Sequence, residues 1–179
     1  MPLTTYTAGE VLTAASLNAN FTFAAAAGAV KQVKYIQKTD TFTTSSTSFV
    51  DLTTLTLSIT PSSASNKILI GYAVQGLGLT ATNMGSIQIV RTSTAIGNAD
   101  AAGSRSVSNS IIPELAAAQI GTMTNWYLDS PATTSATTYK LQIKTNIAGT
   151  VYVNRTITDT DTAAFGRGTS SLVVMEVAP

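Results

Sequence analysis

From Gln32 to its end the sequence is rich in Thr, Val, Ile and Tyr, with Gly, Asn and Ser interrupting at intervals of about ten residues. Such punctuation leaves segments of strand length between turns and no room for the sustained 3.6-residue stripe of a packed helix. The clearest segment is Tyr139 to Thr145. There Tyr139, Leu141 and Ile143 face one way and Lys140, Gln142 and Lys144 the other, as on a strand with one side on a core and the other in water. Further strands are expected at Val33 to Lys38, Val50 to Thr60, Ile68 to Gln75, Ser86 to Arg91, Met123 to Leu128, Val151 to Arg155 and Leu172 to Val177. The alternation slips at Thr53-Thr54, which points to a bulge or a bend from one sheet to another. Asn146 to Thr150 has the length and the Ala148-Gly149 pair of a hairpin turn, and Pro61-Ser62-Ser63 and Ser130-Pro131 are turn chemistry. Ser93 to Ser110 lacks periodicity and is expected to be an exposed loop. With no βαβ alternation and no fixed-period repeat, the expected class is all-β: an antiparallel β-sandwich, jelly-roll-like in topology.

The first thirty residues stand apart, being Ala-rich and almost uncharged. Met1 to Gly9 reads as extended. From Thr13, a competent N-cap, Leu17, Phe21 and Ala24 or Ala25 recur at helical spacing up to about Gly28, a plausible stop. The expected organisation is therefore residues 1–30 as an extended segment and α-helix, and 31–179 as a β-sandwich head. A helix apolar on every face must be covered on all sides. Leu17 and Phe21 are expected to pack against another chain or, failing that, against the core of their own domain.

Composition bears on function mostly by exclusion. Charged residues make up 11% of the chain, against about 25% in ordinary soluble proteins, so its surface is poorly defended against association. A net charge of +1 argues against nucleic acid, since phosphate binding needs clustered cations. The densest group, Lys31, Lys34 and Lys38, reads as one solvated edge. Cys is absent, which removes disulfides and thiolate metal sites, and so is His, which removes the commonest general base and metal ligand. No cofactor, metal or catalytic residue is therefore expected. The longest apolar run, Phe21 to Val30, is about half of what a bilayer crossing needs, and no positive charge precedes it as a signal peptide would require. No membrane insertion and no export by that route are expected.

The remaining motifs have bland explanations. Asp159-Thr160-Asp161 resembles the start of a calcium loop, but Ala163 stands where a third oxygen ligand should be and Ser170 replaces the terminal Glu, so an Asp-rich turn fits better. Asn154-Arg155-Thr156 matches the glycosylation pattern, while Gly76-Leu77-Gly78 and Gly166-Arg167-Gly168 lack the helix start of a phosphate loop. A carboxylate pair for glycoside hydrolysis would have to come from Glu114, Asp129, Asp159 and Asp161, none of which is singled out. Of the neighbours Trp126 and Tyr127 at least one must be buried, and the apolar area of Trp126 assigns it to the core rather than to a sugar-stacking platform.

The opening Leu3-Thr-Thr-Tyr-Thr-Ala-Gly-Glu-Val-Leu-Thr-Ala-Ala-Ser-Leu-Asn-Ala-Asn-Phe21 resembles that of tail and fibre proteins of tailed bacteriophages. Ser46 to Leu52, Ser65 to Ile70, Asp129 to Ile143 and Ser170 to Val177 resemble stretches of β-rich virion proteins common in aquatic phages. The resemblance implies a virion protein: a homotrimeric jelly-roll head whose N-terminal segment docks on a portal, tail or capsid protein through Tyr6, Val11, Leu12, Leu17, Phe21 and Phe23. A short tail or head fibre is expected to contact a host surface glycan or protein. The alternatives are a capsid decoration (cement) protein and a free carbohydrate-binding β-sandwich module; an esterase or glycosidase is disfavoured by the missing His.

Overall fold

The computed structural model describes residues 5–11, 13–18, 28–80, 84–115 and 118–179. Within them run strands β1 (Val30–Lys38), β2 (Phe42–Thr44), β3 (Val50–Ile59), β4 (Lys67–Leu79), β5 (Gly85–Arg91), β6 (Thr94–Ile96), β7 (Ser110–Ile112), β8 (Gly121–Asp129), β9 (Thr137–Thr145), β10 (Val151–Val153) and β11 (Ser170–Val177). One sheet has the order β1-β11-β4-β10-β2, with β8 paired to β4; the other has the order β3-β9-β5-β6, with β7 paired to β5. Every ladder is antiparallel. Reduced to its long strands, the first sheet reads β1-β11-β4-β8 and the second β3-β9-β5 with a short strand at its edge. This interleaving of early and late strands is the double Greek key of a jelly roll, the expected topology.

Period-two side chains build the core. Ile68, Ile70, Tyr72 and Val74 of β4 and Leu172 and Val174 of β11 face Leu52, Leu55 and Ile59 of β3, Ile87 and Ile89 of β5, and Tyr139, Leu141 and Ile143 of β9. All of the expected long strands are present. The slip at Thr53-Thr54 is a bulge, with the register broken between Asp51 and Thr56 and Thr54 at a φ of 77°. Gly76 holds a bend in β4 that no other residue could, because its φ is 59° and a Cβ there would meet the backbone of Asn154 and Arg155.

Three expectations are corrected. Asn146 to Thr150 is not a hairpin turn: β9 pairs with β3 and β5 while β10 pairs with β2 and β4, so this segment crosses between the sheets. Ser93 to Ser110 is not wholly loop, since β6 lies in it and pairs with β5. Lys31 and Lys34 are exposed, but Lys38 is fully buried, not part of a solvated edge. Its Nζ donates to Asp40 Oδ2 at 2.7 Å and to Thr53 Oγ1 at 3.2 Å, which compensates its burial. Asn154 is also buried, its amide donating to the Lys38 and Asp40 carbonyls and its side-chain oxygen accepting from Ser170 Oγ. In the folded chain it is closed to glycosylation.

The buried carboxylates tie strands together. Asp129, at the end of β8, accepts from Arg91 Nη1 at 2.9 and 3.0 Å and from the Tyr139 hydroxyl at 2.7 Å. Burial, together with this carboxylate, pushes the Tyr139 hydroxyl well above its ordinary range. Glu176 of β11 accepts from Gln32 Nε2 of β1 at 2.6 Å, from the Ser62 amide at 2.6 Å, from the Ser62 hydroxyl at 2.7 Å, and from the Asn66 amide. Burial alone would raise the Glu176 carboxyl, but the donors of Asn66, Gln32 and Ser62 outweigh it and lower the carboxyl from 4.5 to about 2. A carboxyl lowered in this way stabilises the fold fully above the unfolded value of 4.5, and the contribution drains away as pH falls toward about 2. Glu176→Gln is expected to lose about 1–3 kcal/mol at neutral pH and to show a flatter stability profile across that acid window. Urea unfolding of both forms between neutral and acid pH checks this; parallel profiles would refute it.

Candidate assembly surface

Each strand of a two-layer fold has one face on the core and one facing away from it. On the β3-β9-β5 sheet the outward face is polar and self-satisfied. Asp51 accepts from Lys140 Nζ and Gln142 Nε2, both at 2.8 Å, and Gln142 Oε1 accepts from Gln88 at 2.7 Å. The Lys140 and Gln142 donors hold the Asp51 carboxyl below its ordinary range.

The outward face of the β1-β11-β4-β8 sheet is of the opposite character. The register aligns Val33, Met175, Leu69 and Leu128 in one row across the four strands, and Tyr35, Val173, Gly71 and Trp126 in the next. A third row, Gln37, Ser171, Ala73 and Thr124, closes the patch with small polar groups. At the other end Val30, Val177 and Lys67 form its border. Val30, Val33, Tyr35, Trp126 and Leu128 are each more than half exposed.

Trp126 is the centrepiece and a correction to the sequence expectation, for it is 57% exposed rather than in the core. Its neighbour Tyr127 packs against the core instead. A Cβ on Gly71 would overlap the six-membered ring of Trp126, so the absence of a side chain there lets the indole lie against the sheet. Beside it is a shallow depression of about 160 Å³ bordered by Ala73, Thr124, Ser171 and Val173.

The N-terminal segment supplies a second apolar feature. Thr13 caps a helical turn over 14–18, its Oγ1 accepting from the Ser16 amide at 3.2 Å and its carbonyl from the Leu17 amide at 3.1 Å. Of the expected docking residues, Val11 is 83% and Leu17 41% exposed. Tyr6 is half-buried, its hydroxyl shielded from water without a hydrogen-bond partner. Leu12, Phe21 and Phe23 lie outside the described residues. Gly28 donates to the Ala178 carbonyl at 3.2 Å and Ala178 to the Ala29 carbonyl at 2.9 Å, so the segment joins the head beside the end of β11.

Two of the four acidic candidates are held in ion pairs. Asp159 is paired with Arg167 and Arg155, and Asp129 with Arg91. Among the described residues no cluster of acidic side chains is placed to hold a metal ion.

No family model matches the chain, and no curated protein does. Solved structures similar to it include one of infectious bursal disease virus Gt strain, 13% identical over 83% of this chain and 42% of that one with a TM-score of 0.40. Another is of the Gx strain of the same virus, 14% identical over 83% and 41% with a TM-score of 0.38. The chain thus spans less than half the length of these structures. The fold and surface define a jelly-roll domain with one wet and one apolar outer face.

Gly71→Ala is expected to lift Trp126 off the sheet with a change in stability of about 1 kcal/mol or less. Acrylamide quenching of the single tryptophan in dilute solution should rise; unchanged quenching would show that the indole does not rest there.

Proposed function

We propose that this chain is a non-enzymatic structural protein of a bacteriophage particle. Its N-terminal segment, residues 1–30, docks on a portal, tail or capsid protein through Tyr6, Val11, Leu12, Leu17, Phe21 and Phe23, and its jelly-roll head, residues 31–179, assembles as a trimer and meets the host surface. The observation that carries this reading is the pairing of a phage-like opening with a head whose outer face is apolar over four strands. Such a face calls for a protein partner rather than water. Exposed Val11 and Leu17 on a segment that leaves the head at one corner suit attachment. Trimeric presentation would turn weak single-site contacts with a host glycan or protein into firm attachment through effective concentration. A carbohydrate-binding module is the second reading, favoured by the exposed indole of Trp126 beside the hydroxyl-bearing Thr124 and Ser171.

Light scattering after size exclusion should give three times the chain mass of 18.5 kDa for the full-length protein. In particles assembled with the paired substitution Val11→Asp and Leu17→Asp, the protein should be missing while its solution mass is unchanged. A monomer in solution would sink the trimeric appendage, and full incorporation of the variant would sink N-terminal docking.

A further inference from the structure

We infer that the outward face of the β1-β11-β4-β8 sheet is the surface through which copies of this chain bind one another, with Trp126 and Tyr35 as its anchors. The inference rests on the self-assembly proposed above and specifies where it occurs.

Three observations select a second copy as the occupant. The first is area. Trp126 and Tyr35 each keep more than half of their large surface exposed, and with Val30, Val33, Leu128 and the partly buried Leu69, Val173, Met175 and Val177 the face presents on the order of 600 Å² of apolar surface. That is at the upper end for a monomer and close to the roughly 800 Å² that each partner gives to a standard interface. The second is the sequence of the central strands. Ile68 to Val74 and Leu172 to Val177 are apolar in both phases, interrupted only by Gly71 and Glu176, which is the pattern of strands covered on both faces. The core covers one face; a further protein layer must cover the other.

The third is charge. Lys31 and Lys34 lie on β1, an edge strand among the described residues, and Lys38 points inward at its end, devices that discourage a neighbouring chain from adding a strand there. The apolar rows between the edges carry no charge. Copies with a net charge of +1 repel one another little. Association is thus directed to the face and away from the edge. The anchors fit the usual hot-spot chemistry: a large aromatic on a flat support, ringed by smaller groups that exclude water.

Trp126 is the single tryptophan of the chain, so its emission reports on this face directly. The experiment follows acrylamide quenching and emission maximum of the full-length protein over a dilution series, alongside mass by light scattering, for the wild type, for Leu128→Lys on the face, and for Thr138→Lys on the outward face of the other sheet. The expected result is a blue-shifted, quench-protected Trp126 in the oligomer that becomes red-shifted and accessible on dilution to monomer. Leu128→Lys should weaken association at least tenfold while Thr138→Lys leaves it unchanged, with circular dichroism showing both variants folded. An oligomer in which Trp126 is quenched as freely as in the monomer overturns the inference and leaves self-assembly standing. A wild type that is monomeric at every concentration overturns both, and a monomer whose Trp126 emission responds to added oligosaccharide assigns the face to a sugar instead. Should Leu128→Lys not fold, the dilution series of the wild type alone decides.

Discussion

A strand has two faces, and in a two-layer fold only one of them finds the core. The rest of this molecule follows from how its sequence treats the other. On β9 the outward positions are Lys140, Gln142 and Lys144, and the sheet is finished there, wet and internally bonded. On β11 the outward positions are Val173, Met175 and Val177, and the neighbours of the first two on β1, β4 and β8 are Tyr35, Val33, Gly71, Leu69, Trp126 and Leu128, none of them charged. The same period of two therefore produces one polar outer face and one apolar outer face. With so few charges in the chain, nothing elsewhere on the apolar face offsets that difference.

Burying polar groups in so small a core is costly unless they are satisfied, and three of those buried here join segments that are distant in sequence. Glu176 ties β11 to Gln32 of β1 and to the turn at Ser62 and Asn66. Asp129 ties β8 to Arg91 of β5 and Tyr139 of β9, across the two sheets. Asn154 ties the chain after β10 to the segment after β1. A one-residue slip of β11 against β1 would turn Glu176 away from its donors and bring Val177 inward, so these contacts hold the register that places Tyr35, Val173, Gly71 and Trp126 in one row.

The long strands were legible because alternation over seven or more residues has no competing explanation, and the Thr53-Thr54 bulge because it breaks an otherwise strict phase. The cap at Thr13 was legible from a single side chain. Of the three-residue strands, β10 was legible from Val151 and Val153, whereas β2, β6 and β7 were not, since so short a run has little period to read and is held by its neighbours. Lys38 was misread because its charge was counted and its phase was not: it shares the inward side of β1 with Ile36, and Asp40, two residues on, meets it. Trp126 was misread because apolar area was assumed to go to the core. The corrective signal lay elsewhere, in the doubly apolar runs of β4 and β11 and in Gly71, whose pairing opposite Trp126 becomes visible only once the strands are in register.

That pairing also bears on what the exposed indole is for. A tryptophan held for the stability of its own domain would be placed where it loses most of its exposure, and the core beneath β8 accommodates Tyr127 instead. Trp126 is given a flat bed at Gly71, at the expense of a side chain in the middle of a central strand, a position where glycine costs about 0.5–1 kcal/mol. A fold gives up stability in this manner when the group it orients interacts with something outside the domain. The apolar row Val33, Met175, Leu69 and Leu128 on one side of the indole and the lack of charge in either row favour a protein as that something and, given the lysines of β1, one that approaches the sheet face-on.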